Sequence, residues 1–169
     1  MHPAPSVILF STLSGLGFGF LALLGWGALV PSGWLAFVLW GLGYGLAVAG
    51  LLASTFHLGN PRNALKAFTQ WRTSWLSREA WASVLTLVLL APVALSDWLG
   101  LGWSRLPGQV GGVMAFVTVL TTAMIYTQIK AVPRWHQPLT PVMFLSFALA
   151  GGGSLAGQVW APLALLLVG

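Results

Sequence analysis

The stretch Phe56-His57-Leu58-Gly59-Asn60-Pro61-Arg62 joins the end of a long apolar run to a basic, tryptophan-rich segment. A histidine at such a border can exchange protons near neutral pH, because an imidazole ordinarily titrates at about 6.5. Its neutral ring can accept a hydrogen bond, then a proton, from a quinol hydroxyl. Ionisable groups at membrane depth are functional candidates for this reason. The competing reading is structural: a histidine at a helix C-terminus caps the last carbonyls and complements the helix dipole. Spacing alone leaves both readings open for His57.

The other chemical candidates are sparser. Arg62 can orient an anionic quinone oxygen, or hold a lipid headgroup. Tyr126 can donate to a quinone carbonyl, although tyrosine is common at membrane interfaces in any case. His136, between Pro133 and Pro138, reads as a loop residue, and Asp97 as a solvated helix end. A b-type haem needs two facing axial ligands, and no histidine falls in the middle of an apolar run, so no haem is expected. With two acidic residues and no cysteine, no metal site or iron–sulfur cluster is expected in this chain either. No nucleophile–base pair or phosphate loop is visible.

These residues must be positioned by membrane helices. The 169 residues are 57% hydrophobic and 5% charged, with mean hydropathy +0.88, whereas a soluble domain carries about 25% charged residues. The expected fold is an all-α polytopic membrane protein, forming one transmembrane domain over residues 1–169. A crossing helix needs ~20 mostly apolar residues. Five runs qualify: Ser6–Val30, Trp34–Ala53, Ala80–Trp98, Val110–Ile129 and Pro141–Val168. The first run is too long for a signal-peptide core and reads as a span. The net charge of +5 is clustered, with no basic stripe of the kind that follows nucleic acid.

Five spans put the termini on opposite faces. The N-terminal face, side A, carries Arg62, Lys66, Arg72, Arg78, Lys130 and Arg134, and side B carries Arg105 alone. The positive-inside rule then places side A, with His57, in the cytoplasm. Membrane lipid is an expected partner along these faces.

Helix punctuation shapes the segment 54–79. Gly59 and Pro61 stop the second span, while Asn60-Pro61 reads as N-cap and first residue of a new helix. That helix is expected over Pro61–Trp71, lying along the membrane surface. Ser77 is expected to cap the third span, with Glu79 complementing its dipole. Thr140-Pro141 repeats the cap pattern for the fifth span, which Gly151-Gly152-Gly153 interrupts, so that one tilted or kinked helix, or a break at the triplet, is expected. Gly-Leu-Gly-Phe-Gly (15–19) and Gly-Leu-Gly-Tyr-Gly (41–45) point to a tight first hairpin rather than an inverted transporter repeat.

The chain also resembles the DmsC family, the membrane anchor subunits of dimethyl sulfoxide reductase and its relatives. The resemblance is carried by Ala53-Ser54-Thr55-Phe56-His57-Leu58-Gly59-Asn60-Pro61-Arg62 and Leu76-Ser77-Arg78-Glu79. It continues in Tyr126-Thr127-Gln128-Ile129, Val132-Pro133-Arg134-Trp135 and Thr140-Pro141-Val142-Met143-Phe144. It implies an anchor that holds an iron–sulfur subunit and a molybdenum catalytic subunit on a bacterial inner membrane. Such an anchor exchanges electrons with the quinone pool and carries no haem or metal itself. The family's quinol-site histidine corresponds to His57, with Gly59, Pro61, Arg62 and Tyr126 expected around the quinone. Lys66, Arg72 and Arg78 are the expected docking surface for the iron–sulfur subunit. Family anchors usually have eight spans, against about five here. The family's dimethyl sulfoxide reductases carry the His-Leu-Gly face on the periplasmic side, whereas the charge bias here resembles a sulfite dehydrogenase-type relative with cytoplasmic catalytic subunits. Two rivals remain at this level: a purely structural anchor without its own quinone site, and a small transporter.

Overall fold

The computed structural model describes residues 5–55 and 68–157. They form five helices: α1 (Pro5–Trp26), α2 (Gly33–Thr55), α3 (Trp75–Leu99), α4 (Leu106–Thr127) and α5 (Leu139–Leu155). The first four are long and apolar enough to cross a membrane. The described part of α5 has 17 residues, just short of a full crossing. The all-α polytopic expectation holds.

The helices form an up-and-down bundle in which α1 packs on α2, α2 on α3, α3 on α4 and α4 on α1. The fifth helix lies against α1 and α4. That makes α1 the centre, with Phe18, Phe20, Leu21 and Leu24 fully enclosed. Lipid supplies no hydrophobic force between helices, so close backbone approach at small residues and interhelical hydrogen bonds must hold them together. A Cβ on Gly17 would strike the backbone of Ala47, and one on Gly50 would strike Ser14. The α1–α2 hairpin is therefore tight, as expected.

The glycine triplet itself stays helical, and α5 closes just beyond it, inside the expected run Pro141–Val168. Residues 151–153 do not break α5, which runs on to Leu155 and closes at Gly157 with φ +73°. A Cβ on Gly152 would fall on the Gly19–Phe20 backbone, and one on Gly19 on Ala148. The triplet is a contact surface for α1. An unbroken helix also keeps every backbone group bonded within the apolar layer.

Two helix starts also move. The third helix begins at Trp75, so Ser77 lies inside its first turn and caps nothing; Ser74 takes the N-cap place without a side-chain bond. The fifth begins at Leu139 after Pro138, and Thr140 Oγ1 donates instead to Trp135 O at 2.8 Å. Of the interfacial helix expected over Pro61–Trp71, residues 61–67 lie outside the described residues, and the described end passes from a 3-10 conformation at Phe68 into turn.

Asp97 is not a solvated helix end. Its Oδ1 pairs with Arg105 Nη2 at 2.8 Å and its Oδ2 accepts Trp40 Nε1–H at 3.1 Å. Arg105 Nη1 also donates to Leu24 O of α1 at 3.4 Å. All four bundle helices thus meet at one ion pair on side B. Nearer mid-membrane, Tyr44 donates to Leu87 O at 2.7 Å, and the Thr86 and Thr118 hydroxyls lie 3.1 Å apart.

Candidate functional site

Side A gathers the end of α2, the start of α3, the end of α4 and the start of α5. His57, Gly59, Pro61, Arg62 and Lys66 lie outside the described residues. The described residues nevertheless place a carboxylate there, one for which the sequence suggests only a helix-dipole role. Because α3 starts at Trp75, Glu79 falls in its second turn and points into the bundle, 2% exposed. It hydrogen-bonds Thr122 of α4. Among the described residues no cation pairs with it.

The bonding of Thr122 gives the pair a useful property. Its hydroxyl reaches both Glu79 Oε1 and its own helix carbonyl, Thr118 O, the latter at 3.0 Å. A hydroxyl carries one proton. With Glu79 ionised, Thr122 donates to the carboxylate. With Glu79 neutral, the carboxyl donates to Thr122, whose proton turns to Thr118 O. The geometry satisfies either protonation state of Glu79 without moving a heavy atom. Two residues away, Ser77 Oγ is buried and has no hydrogen-bond partner among the described residues.

Tyr126 lies one turn beyond Thr122, on the same face of α4. It is 8% exposed and within electrostatic reach of Glu79. Its ring meets Trp135 edge-on at 5.2 Å and Phe144 at 5.3 Å. Behind Phe144, a groove of about 520 Å³ opens between α1 and α5, bordered by Ser11, Gly15 and Gly151. The loop after α4 is held by His136, whose Nδ1 lies 2.7 Å from Thr127 O. His136 is therefore a loop residue tied to a helix end. Side A thus sets a buried carboxylate and a hydroxyl beside the aromatic faces of Tyr126, Trp135 and Phe144.

The basic residues expected to dock a partner are not equivalent. Arg72 is exposed, with its guanidinium 5.8 Å from the Trp71 ring. Arg78 instead bonds backbone: Nε donates to Trp71 O at 3.0 Å and Nη2 to Arg72 O at 2.9 Å. Its guanidinium also lies 4.2 Å from the Trp75 ring.

Fold and side A site together define a polytopic helical membrane protein with a buried carboxylate at one face. The DMSO reductase anchor subunit (DmsC) family model matches residues 34–164, and the chain belongs to that family. It is 34% identical over 177 residues to a sulfite dehydrogenase subunit from Allochromatium vinosum, covering 92% of this chain and 54% of the relative. The chain thus spans about half the length of that curated relative. No solved structure matches it significantly.

Proposed function

We propose that this chain is the membrane anchor of a molybdenum and iron–sulfur oxidoreductase, and exchanges electrons between the iron–sulfur subunit and quinone at side A. The observation that carries the reading is the buried Glu79–Thr122 pair, at the face where α2 leads to His57 in a chain of the anchor family. Oxidation of a quinol releases two protons and two electrons, and quinone reduction takes them up. His57 and Glu79 hold those protons; Tyr126 and Arg62 orient the ring oxygens. Lys66 and Arg72 on the same face, with Lys130 and Arg134 in the α4–α5 loop, form the docking surface for the iron–sulfur subunit. Arg78, bound to backbone, contributes less to docking. Electrons must tunnel between that partner and the quinone, so docking surface and quinone site share a face.

The family description names a DMSO reductase, while the curated relative is named for a sulfite dehydrogenase. The six-to-one excess of basic residues on side A favours the second type, with side A in the bacterial cytoplasm and sulfite electrons passing to quinone. Reporter fusions at Gln70 and Ser104 check this orientation. We expect a cytoplasmic signal at Gln70 and a periplasmic one at Ser104; the reverse pattern refutes it.

The central test is His57→Gln. The assembled complex should retain turnover with an artificial electron acceptor, while quinone-linked turnover falls by about 10²–10⁴-fold, the usual size of a lost acid–base group. Unchanged quinone-linked turnover would instead favour a purely structural anchor.

A further inference from the structure

The outer face of the α3–α4 hairpin carries a second groove, of about 920 Å³, that the proposed quinone chemistry does not use. Its walls are Val84, Leu85 and Val88 from α3 with Met114 and Val117 from α4. Its mouth, on side A, is made by Phe68, Trp71, Trp81 and Arg78. From Arg78 to Val88 the groove descends ~15 Å at 1.5 Å per residue, about half of a bilayer's apolar thickness.

The mouth is built rather than incidental. Trp81 Nε1 donates to Phe68 O at 3.0 Å, and the two rings meet edge-on at 5.5 Å. Arg78 fastens the next turn through Trp71 O and Arg72 O. Those bonds use two of the five guanidinium N–H groups, and Arg78 lines the groove. A cation held by its backbone bonds, with no acid paired to it among the described residues and ringed by tryptophans at the headgroup level, recognises a phosphate. The apolar slot beneath it recognises a hydrocarbon chain.

We propose that this groove is a binding site for an anionic phospholipid, with its phosphate on Arg78 and one acyl chain along the α3–α4 cleft. Charge complementarity selects this occupant over a quinone, whose neutral head leaves Arg78 without a counter-charge. Neither Glu79 nor Thr122, moreover, lines this groove. The site stands whether or not side A carries the quinone chemistry.

The test is native mass spectrometry and thermal melting of the detergent-purified complex. Titrants are phosphatidylglycerol, phosphatidylcholine, inorganic phosphate and a short-chain ubiquinone. Phosphatidylglycerol should bind and raise the melting temperature more than phosphatidylcholine. Its affinity should fall about fivefold in Arg78→Gln, as expected for one surface cation. Val88→Trp, at an exposed position that leaves the mouth intact, should remove binding by filling the slot. Equal binding of both lipids, or phosphatidylglycerol binding untouched by Val88→Trp, overturns the proposal. Displacement by the ubiquinone would make the groove an isoprenoid site, and stabilisation by inorganic phosphate alone a headgroup site without a chain; either also overturns it. If Arg78→Gln fails to assemble, Val88→Trp and the comparison of the two lipids still decide.

Discussion

Glu79→Leu should lower quinone-linked turnover by about 10²–10⁴-fold in a complex that still assembles. The two halves of this expectation have separate physical grounds. Removing one partner of a buried hydrogen bond is costly when the other is left unsatisfied. Here the remaining partner is Thr122, whose hydroxyl already lies 3.0 Å from Thr118 O and can donate there instead. No charge is orphaned either, since no described cation faces Glu79. An apolar side chain in a site that is 2% exposed should therefore be accepted. What disappears is the capacity to hold a proton. Glu79→Gln refines the experiment, because its amide keeps a hydrogen bond with Thr122 but cannot exchange a proton in this way. Both variants are assayed with quinone and with an artificial acceptor. A glutamine variant at full quinone-linked rate would remove Glu79 from the site.

The second large effect is expected on side B. Asp97→Ala should destabilise the bundle, read as a lower melting temperature of the complex and a smaller yield in membranes. Breaking a fully buried ion pair costs about 3–5 kcal/mol, and an exposed pair about 0.2–1 kcal/mol. The Asp97 side chain is 10% exposed but that of Arg105 is 29% exposed. The cost should thus fall between the two ranges. The alanine variant leaves Arg105 without its counter-charge and Trp40 Nε1 without its acceptor. Trp40→Phe removes only the indole bond and should cost about 0.5–1.5 kcal/mol. Equal melting of Asp97→Ala and the parent would show that the pair does not hold the bundle.

The contrast between these two carboxylates shows what a sequence of this kind discloses. The spans were legible because apolar length is a direct requirement of the bilayer, and the hairpin because glycine-rich runs mark close approach, although within those runs the glycines that make it are the central ones, Gly17 and Gly43. Partners distant in the chain were not. Asp97 looked solvated because Trp40 lies 57 positions away and Arg105 across a loop. Glu79 looked like a dipole partner because the apolar run suggested a start at Ala80. The helix begins five residues earlier, since Trp75 and Leu76 extend it, and this turns Glu79 toward Thr122. A buried carboxylate has one faint signature in sequence: it is the lone acid on an otherwise basic face. The matching pentads also misled in part. Gly17 meets α2 and Gly19 meets α5, whereas a Cβ on Gly41 or Gly45 would meet nothing.

The central place of α1 has a consequence for how the chain is made. Among the described helices, α1 is made before every helix it packs against, and it carries Phe18, Phe20, Leu21 and Leu24, all fully enclosed. Its Gly17 face finds α2 at once, as the next helix made. Its Gly25 face must wait for Gly108 of α4, and its Gly19 face for Ala148 and Gly152 of α5. Until then those backbones lie open to lipid, or to any chaperone or insertase that shields small-residue surfaces. Order of synthesis and order of packing therefore diverge: among the described helices, α1 is covered on its Gly19 face only once α5 closes on it.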